Sequence, residues 1–251
     1  MTTNKMRQLG LIGRSLSHSF SKTYFEEKFQ RENILDVSYS LIELADIKNI
    51  TDFIQKHPDL VGFNVTIPYK QQIIPYLDDL SDEAKTIGAV NTVSIQHSDN
   101  QIFTKGYNTD VIGFRCSLTG TTIPDRALIL GTGGAAAAVK YVLEKQRCAC
   151  TAVSRDERKG LPYSALTPDI IAQHKLIVNC TPLGTNPNIN EKPDIPYEGI
   201  SGEHILYDLV YNPAETAFLK EGSVHGARTI NGLAMLHAQA EKSWEIWNQR
   251  L

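Results

Sequence analysis

The sequence predicts an α/β protein of two α/β halves, the first on a mostly parallel sheet. Apolar stretches at strand spacing alternate with stretches at helical spacing, the strand–helix–strand order of parallel sheets with right-handed crossovers. At Ala127-Leu-Ile-Leu130 that pattern begins afresh, with a strand running straight into a glycine-rich turn. A length of 251 residues suits one large or two modest domains.

Arg7 to Ile12 reads as the first strand, ending at Gly13. The loop Arg14 to Ser21 is rich in hydroxyls and leads into a helix with Phe20, Tyr24, Phe25 and Phe29 at helical spacing. One of Ser17, Ser19 and Ser21 is accounted for as a helix cap; hydroxyls beside exposed helix N–H groups also cradle a carboxylate. Val37 to Glu43 alternates like a second strand, and Ile47, Ile50, Phe53 and Ile54 mark a helix. The third strand, Leu60 to Ile67, is expected to be buried, with Pro68 stopping its ladder. Asn64 and Thr66 alternate with its apolar positions, which places polar groups on the approach to Lys70. A capped helix from Ser81 to Gly88 and a hairpin of Asn91 to Gln96 with Gln101 to Tyr107, turning at Ser98-Asp-Asn100, complete this half. Asn108-Thr-Asp110 then opens a helical stretch, Val111 to Leu118, broken by Gly120 to Pro124.

In the second half Gly131-x-Gly133-x-x-Ala136 follows a strand and opens a helix, the context that gives a dinucleotide fingerprint meaning. Gly131 allows the tight turn, Gly133 the approach of a pyrophosphate, and Ala136 close helix–strand packing. This half is therefore read as Rossmann-like. An NAD enzyme carries Asp or Glu about 20 residues past the glycines for the ribose hydroxyl. Here the next strand ends Val153-Ser154-Arg155, with Lys159 shortly after, a set that suits a 2′-phosphate. NADP is favoured; Asp156 is the feature that argues for NAD. Further strands are expected at Ala149 to Ser154, Lys175 to Asn179, Ile205 to Val210 and Arg228 to Ile230, with a short helix at Thr167 to Gln173 and a last one at Gly232 to Asn248.

Composition narrows the function. At 41% hydrophobic and 21% charged the chain is an ordinary globular sequence. A net charge of −3 without clustered Lys or Arg argues against nucleic acid. One or two placed cations still suffice for a small anionic ligand. Cys116, Cys148, Cys150 and Cys180 form no CxxC pair and no metal-ligand spacing, which fits free thiols, a reducing cytoplasm and no metal. Cys148 and Cys150, two apart on an expected strand, read as core on one face. No apolar run approaches a membrane span, and Leu9 to Ile12 is too short for a signal h-region.

Lys70 just past a strand end, Asp110 at a helix start and Asn91 between them read as one site. Ligands of open α/β sheets bind outside the carboxyl ends of the strands. Lysine is a proton donor of adjustable pKa, raised by a carboxylate and lowered by burial. Asp110 also reads as an N-cap, a role compatible with catalysis.

On these residues the sequence resembles the shikimate dehydrogenase family over essentially its whole length. The likeness is carried, in order, by Ser17-His-Ser19-x-Ser21, Gly62-Phe-Asn-Val-Thr66-x-Pro-x-Lys70, Gly88-Ala-Val-Asn91-Thr and Asn108-Thr-Asp110. It continues through Gly131-x-Gly-Gly-Ala-Ala, Asn179-x-Thr-Pro-x-Gly184, Asp208-x-x-Tyr211-x-Pro and Asn231-Gly-Leu-x-Met235-Leu-x-x-Gln239. The resemblance implies reversible reduction of 3-dehydroshikimate to shikimate with NADPH, a step of aromatic amino-acid biosynthesis. It implies Ser19 and Ser21 on the substrate carboxylate, and Thr66, Asn91, Asp110 and Gln239 on the ring hydroxyls. It further implies that Tyr211 faces the site and that Lys70 and Asp110 are the catalytic pair. By the same resemblance Gly131, Thr132, Gly133, Gly134, Ala135, Ser154, Arg155 and Lys159 are expected to hold NADP, with Gly232 and Met235 at the nicotinamide.

The resemblance also returns the last helix to the first domain. The expected division is residues 1–110 with 232–251 as substrate and catalytic domain, and 111–231 as the NADP domain. The chain departs from the family near Ser15 and at Lys22, where proline is common, and at Asp156. The expected assembly is a monomer or homodimer. A quinate/shikimate dehydrogenase preferring NAD and a non-catalytic NADP-binding regulatory module are the alternatives.

Overall fold

The structure, a computed structural model, describes residues 6–16, 19–98 and 101–249. Ser17 and the hairpin turn at 99–100 lie outside the described residues. The chain divides into two compact units, residues 1–109 with 240–251 and residues 110–239. The first helix after Thr109 therefore counts with the second unit, and the last helix is shared between them at Gln239/Ala240.

The first unit holds β1 (Arg7–Gly13), α1 (Ser21–Arg31), β2 (Val37–Glu43), α2 (Ile50–Lys56), β3 (Leu60–Val65), β4 (Asp79–Leu80), α3 (Asp82–Ile87), β5 (Thr92–Ser98) and β6 (Gln101–Tyr107). Its sheet runs β2-β1-β3-β5-β6-β4. β1 pairs in parallel with β2 and β3, β4 with β6, and the β5–β6 hairpin joins β3 antiparallel. The order reverses at β1, so its carboxyl end, beside that of β3, is the switch point where open sheets bind ligands. Gly13 marks that meeting: a Cβ there would lie 2.7 Å from Thr66 Cγ2.

Two expectations for this unit are corrected. β3 ends at Val65, and Ile67 lies beyond it, 67% exposed, because a turn closed by Tyr69 N–H donating to Thr66 O (2.9 Å) has already begun. Asn64 is buried, since β3 is covered on both faces and alternation brings its side chain to no solvent. The expected cap of α3 is present: Ser81 Oγ accepts from Ala84 N–H, and Gly88 ends the helix left-handed at φ +69°.

The second unit holds α4 (Asp110–Ser117), β7 (Arg126–Leu130), α5 (Gly134–Lys145), β8 (Ala149–Val153), α6 (Pro168–Gln173), β9 (Leu176–Asn179), β10 (Ile205–Asp208), α7 (Ala217–Val224), β11 (Arg228–Ile230) and the start of α8 (Leu233–Asn248). Its sheet, β11-β10-β9-β7-β8, is parallel throughout and reverses order at β7, where the glycine turn leaves. This is a doubly wound, Rossmann-like arrangement. α7 was not anticipated; Thr216, whose Oγ1 accepts from Leu219 N–H, is the cap that announces it. Cys148 is buried but precedes β8 and Cys150 is only half-buried, so the two are not one core face.

The return of α8 is visible in the first core. Ala240, Ile246 and Trp247 pack with Leu9, Phe25, Phe29 and Tyr39. Trp247 Nε1 donates to Val93 O (2.9 Å), and its ring edge fills the space above Gly62, where a Cβ would sit 2.3 Å from Nε1. Among the described residues no helix is long and apolar enough to cross a membrane.

Candidate active site

In the first unit the candidate residues gather around Asn91, at the start of β5 and 2% exposed. Its carbonyl accepts from Val65 N–H (2.8 Å), which ties it to the end of β3. The neighbouring Val90 N–H donates to Lys70 O (2.7 Å), and Asn91 Oδ1 accepts from Thr109 N–H (2.7 Å). The backbones of residues 70, 91 and 109 are thus fixed together, although 39 positions separate the first from the last. Asp110 follows Thr109 by one peptide bond and is the first residue of α4 rather than the residue before it, which departs from the N-cap reading.

A network of neutral polar groups lies beneath these positions. Asn64 Nδ2 donates to Asn91 O (3.2 Å), Thr92 Oγ1 (3.0 Å) and Ser243 Oγ (2.9 Å), while its Oδ1 accepts from Tyr39 O–H (2.8 Å). Thr92 and Thr109 hydroxyls lie 2.8 and 3.2 Å from Ser243 Oγ. At the other end Tyr39 hydrogen-bonds the Ser21 side chain, and burial pushes its phenol well above the ordinary tyrosine range. The chain of contacts therefore runs from Ser21 through Tyr39 and Asn64 to Asn91. Ser19 Oγ accepts from Ser21 N–H (3.3 Å) just ahead of α1, but the N-cap residue is Phe20 and no side chain caps this helix, so neither Ser19 nor Ser21 is the expected cap. Thr66 sits at the switch point described above, its N–H donating to Ile12 O (2.9 Å).

In the second unit the glycine turn is built as the fingerprint requires. Gly131 has φ +110°, a conformation open to glycine, and a Cβ there would press 3.4 Å from Cys180 O and Thr181 Cγ2. A Cβ at Gly133 would meet nothing within 4 Å, so the space over this backbone is open. α5 begins at Gly134 and runs 12 residues through Ala135 and the buried Ala136. An anionic pyrophosphate fits this arrangement: open glycine backbone, a positive helix end and no acidic residue in its first turn. Ser154, at the end of β8, places its Oγ 3.4 Å from Thr132 Oγ1 and accepts from Asp156 N–H (3.1 Å). Arg155 and Lys159 are exposed on the same turn.

The remaining candidates sit on neighbouring elements of this unit. α4 and α8 pack closely at Gly113, where a Cβ would lie 2.7 Å from Met235 O and 3.0 Å from Gln239 Cβ. Asp110, Met235 and Gln239 thus belong to two helices in close contact. Gly232 lies so close to the end of β10 that a Cβ would fall 2.1 Å from Leu209 O. Its N–H donates to Val210 O (3.1 Å), one residue before Tyr211.

Asp208, fully buried, anchors this end of the sheet. Its Oδ1 accepts from Asn179 Nδ2 (3.0 Å) and Val210 N–H (3.0 Å), and its Oδ2 from Thr216 Oγ1 (2.6 Å). Burial raises its pKa to about 6 against the pull of those three donors. Asn179 in turn accepts from Thr181 N–H (3.0 Å), beside Gly131.

Sequence reasoning assigned no role to Asn64, Tyr39, Ser243 or Asp208. The available signal was a polar residue on an apolar pattern: Asn64 within a buried strand, and Ser243 one turn beyond Gln239 on an apolar helix. Among the described residues no group of three or more His, Cys, Asp or Glu could hold a metal ion.

Comparison with known proteins bears on the family and the fold. Residues 11–93 match the family described as the shikimate dehydrogenase substrate binding domain. A shikimate dehydrogenase (NADP+) of Methanococcus maripaludis strain C7 is 38% identical over 272 aligned positions, covering 98% of this chain and 93% of the relative. A shikimate dehydrogenase crystallised with NADP+ superposes with a TM-score of 0.83 at 33% identity, covering 99% of this chain and 92% of the other. A quinate dehydrogenase from Corynebacterium glutamicum in complex with NAD superposes at 0.84 with 27% identity, covering 97% and 94%.

Proposed function

The chain belongs to the shikimate dehydrogenase family, and on that premise we propose that it catalyses the reversible NADPH-dependent reduction of 3-dehydroshikimate to shikimate. The reaction is a step of chorismate and aromatic amino-acid biosynthesis. The supporting observation is the pair of bonds that fix residues 70, 91 and 109 together, Val90 N–H to Lys70 O and Thr109 N–H to Asn91 Oδ1. They bring the backbone of the proposed proton donor to the segment that immediately precedes Asp110.

When bound, NADPH supplies a hydride to the ketone carbon. Gly131, Thr132, Gly133, Gly134 and Ala135 hold its pyrophosphate, Ser154, Arg155 and Lys159 its 2′-phosphate, and Gly232 and Met235 border the nicotinamide. Ser19 and Ser21 donate hydroxyl hydrogen bonds to the substrate carboxylate. Thr66, Asn91, Asp110 and Gln239 orient the ring hydroxyls, and Tyr211 faces the substrate. Negative charge develops on the carbonyl oxygen during reduction. Lys70 stabilises it and delivers the proton there, while Asp110 orients the ammonium group and a substrate hydroxyl. In the reverse direction the proton returns from the substrate hydroxyl to Lys70. The reading places the enzyme in the cytoplasm, acting on a small anionic substrate as a monomer or homodimer; its four free thiols accord with a reducing compartment.

The test is the change in reduced-nicotinamide absorbance with shikimate plus NADP, against shikimate plus NAD and quinate plus either cofactor. Turnover with shikimate and NADP is expected to dominate; a preference for quinate or NAD would move the chain to the quinate/shikimate alternative. Asp156 is the observation favouring NAD. Its carboxylate is bound by Arg158, which weighs against it.

A further inference from the structure

The turn after β8 contains an acidic residue where a 2′-phosphate would bind, and the chain answers it locally. Ser154 N–H donates to Leu161 O (2.9 Å), Leu161 N–H to Ala152 O (2.9 Å) and Lys159 N–H to Asp156 O (2.9 Å). Gly160 passes so near β8 that a Cβ would sit 2.6 Å from Ala152 O. Residues 154–161 are thus strapped back along the strand, and Asp156 is held beside Ser154, whose hydroxyl reaches the glycine turn at Thr132.

Within this strapped turn Arg158 folds over Asp156. Its Nε lies 2.9 Å from Oδ1 and its Nη2 2.9 Å from Oδ2, so both carboxylate oxygens are occupied by one fork, and Arg158 N–H adds a third bond to Oδ1 (3.2 Å). Lys159 Nζ stands 4.0 Å from Oδ2. Arg158 keeps 88% of its side chain exposed, so remaining guanidinium donors are open to a ligand at the surface. A bare carboxylate here would accept a ribose 2′-hydroxyl and repel a phosphate; a forked arginine reverses both preferences.

We propose that Arg158 is a cofactor-specificity residue, which by covering both oxygens of Asp156 turns an acidic, hydroxyl-accepting turn into one that accepts a 2′-phosphate. This rests on the NADP reading above and deepens it. The Asp156 carboxyl is held below its ordinary range first by the Arg158 hydrogen bonds, which favour its ionised form.

The test uses ligands that lack the nicotinamide and so need no turnover. Binding of 2′-phospho-ADP-ribose and of ADP-ribose is measured by calorimetry on the full chain, for the wild type, Arg158→Gln, Asp156→Asn and the double variant. Arg158→Gln should weaken 2′-phospho-ADP-ribose about tenfold while leaving ADP-ribose within about twofold, a loss that shrinks in high salt. Adding Asp156→Asn to Arg158→Gln should recover most of that loss, because the carboxylate needing cover is gone. An unchanged ligand ratio in Arg158→Gln, or no recovery in the double variant, would overturn the role of Arg158 and leave the dehydrogenase reading intact. A wild type that binds neither ligand would sink the NADP reading and this proposal with it. Circular dichroism of each variant separates a lost preference from a lost fold.

Discussion

Each unit of the molecule builds a buried polar hub near the carboxyl end of a strand, Asn64 in the first and Asp208 in the second, and the two hubs differ in charge. Asn64 in the first unit is neutral, and its amide is satisfied by Tyr39, Asn91 O, Thr92 and Ser243. Asp208 in the second is a carboxyl satisfied by Asn179, Val210 N–H and Thr216. A neutral hub fixes geometry independently of pH, because none of its partners changes charge in the working range. A carboxyl hub fixes geometry too, but burying its charge opposes folding unless the donors compensate. On the proposed reading, the first arrangement suits serines and an asparagine that would present hydroxyl-matching groups in one orientation. The second lies beside the glycine turn, through Asn179 and Thr181.

The largest expected effect separates the chemistry of one unit from the binding of the other. Lys70→Ala should lower kcat roughly a thousandfold, in the range of a lost general acid, with NADPH affinity little changed. Fluorescence titration with NADPH beside steady-state kinetics reads both quantities, and near-normal turnover would remove Lys70 from the proton transfer.

Asn64→Leu attacks the neutral hub. It leaves buried hydroxyls and a carbonyl short of partners and should destabilise the chain by about 2–4 kcal/mol in urea unfolding, by similar amounts at pH 6 and pH 8. A strongly pH-dependent loss would show that the hub is not acting as a neutral one.

Asp208→Asn probes the charged hub. The folded state holds the Asp208 proton more tightly than the unfolded chain, because burial raises its pKa from 3.8 to about 6. On this group's account, stability is fully present below the unfolded value and falls as pH rises through the folded one. The wild type should therefore lose up to about 3 kcal/mol relative to Asp208→Asn between about pH 4 and about pH 7. Stability difference curves that stay flat across that window would erase the contrast between the hubs.

Arg155→Ala is expected to be the mildest. It should raise KM for NADPH about tenfold, less at high salt, with kcat nearly unchanged, as befits an exposed cation on a 2′-phosphate. A fall in kcat alone would place Arg155 elsewhere in the cycle.

The glycine turn and the strand–helix order were legible because backbone requirements are local: a left-handed φ at Gly131 or a cap at Ser81 is written in one or a few adjacent residues. The end of β3 was less legible, since the apolar Ile67 continues the strand pattern while the backbone has already turned. The burial of Asn64 was not legible for a related reason. Alternation tells two faces of a strand apart, but whether one of them is solvent depends on a helix more than 160 residues later.

By itself the sequence determined the α/β class, the place of the glycine-rich turn and which residues are candidates for acid–base chemistry, because each follows from residue type and short-range spacing. The tertiary structure decided which polar groups are partners. Ser243 meets Asn64 and Asp208 gathers two loops, each through side-chain geometry that the backbone pattern leaves open. Those pairings depend on distance in space, and spacing along the chain carries no measure of that distance beyond a turn or two.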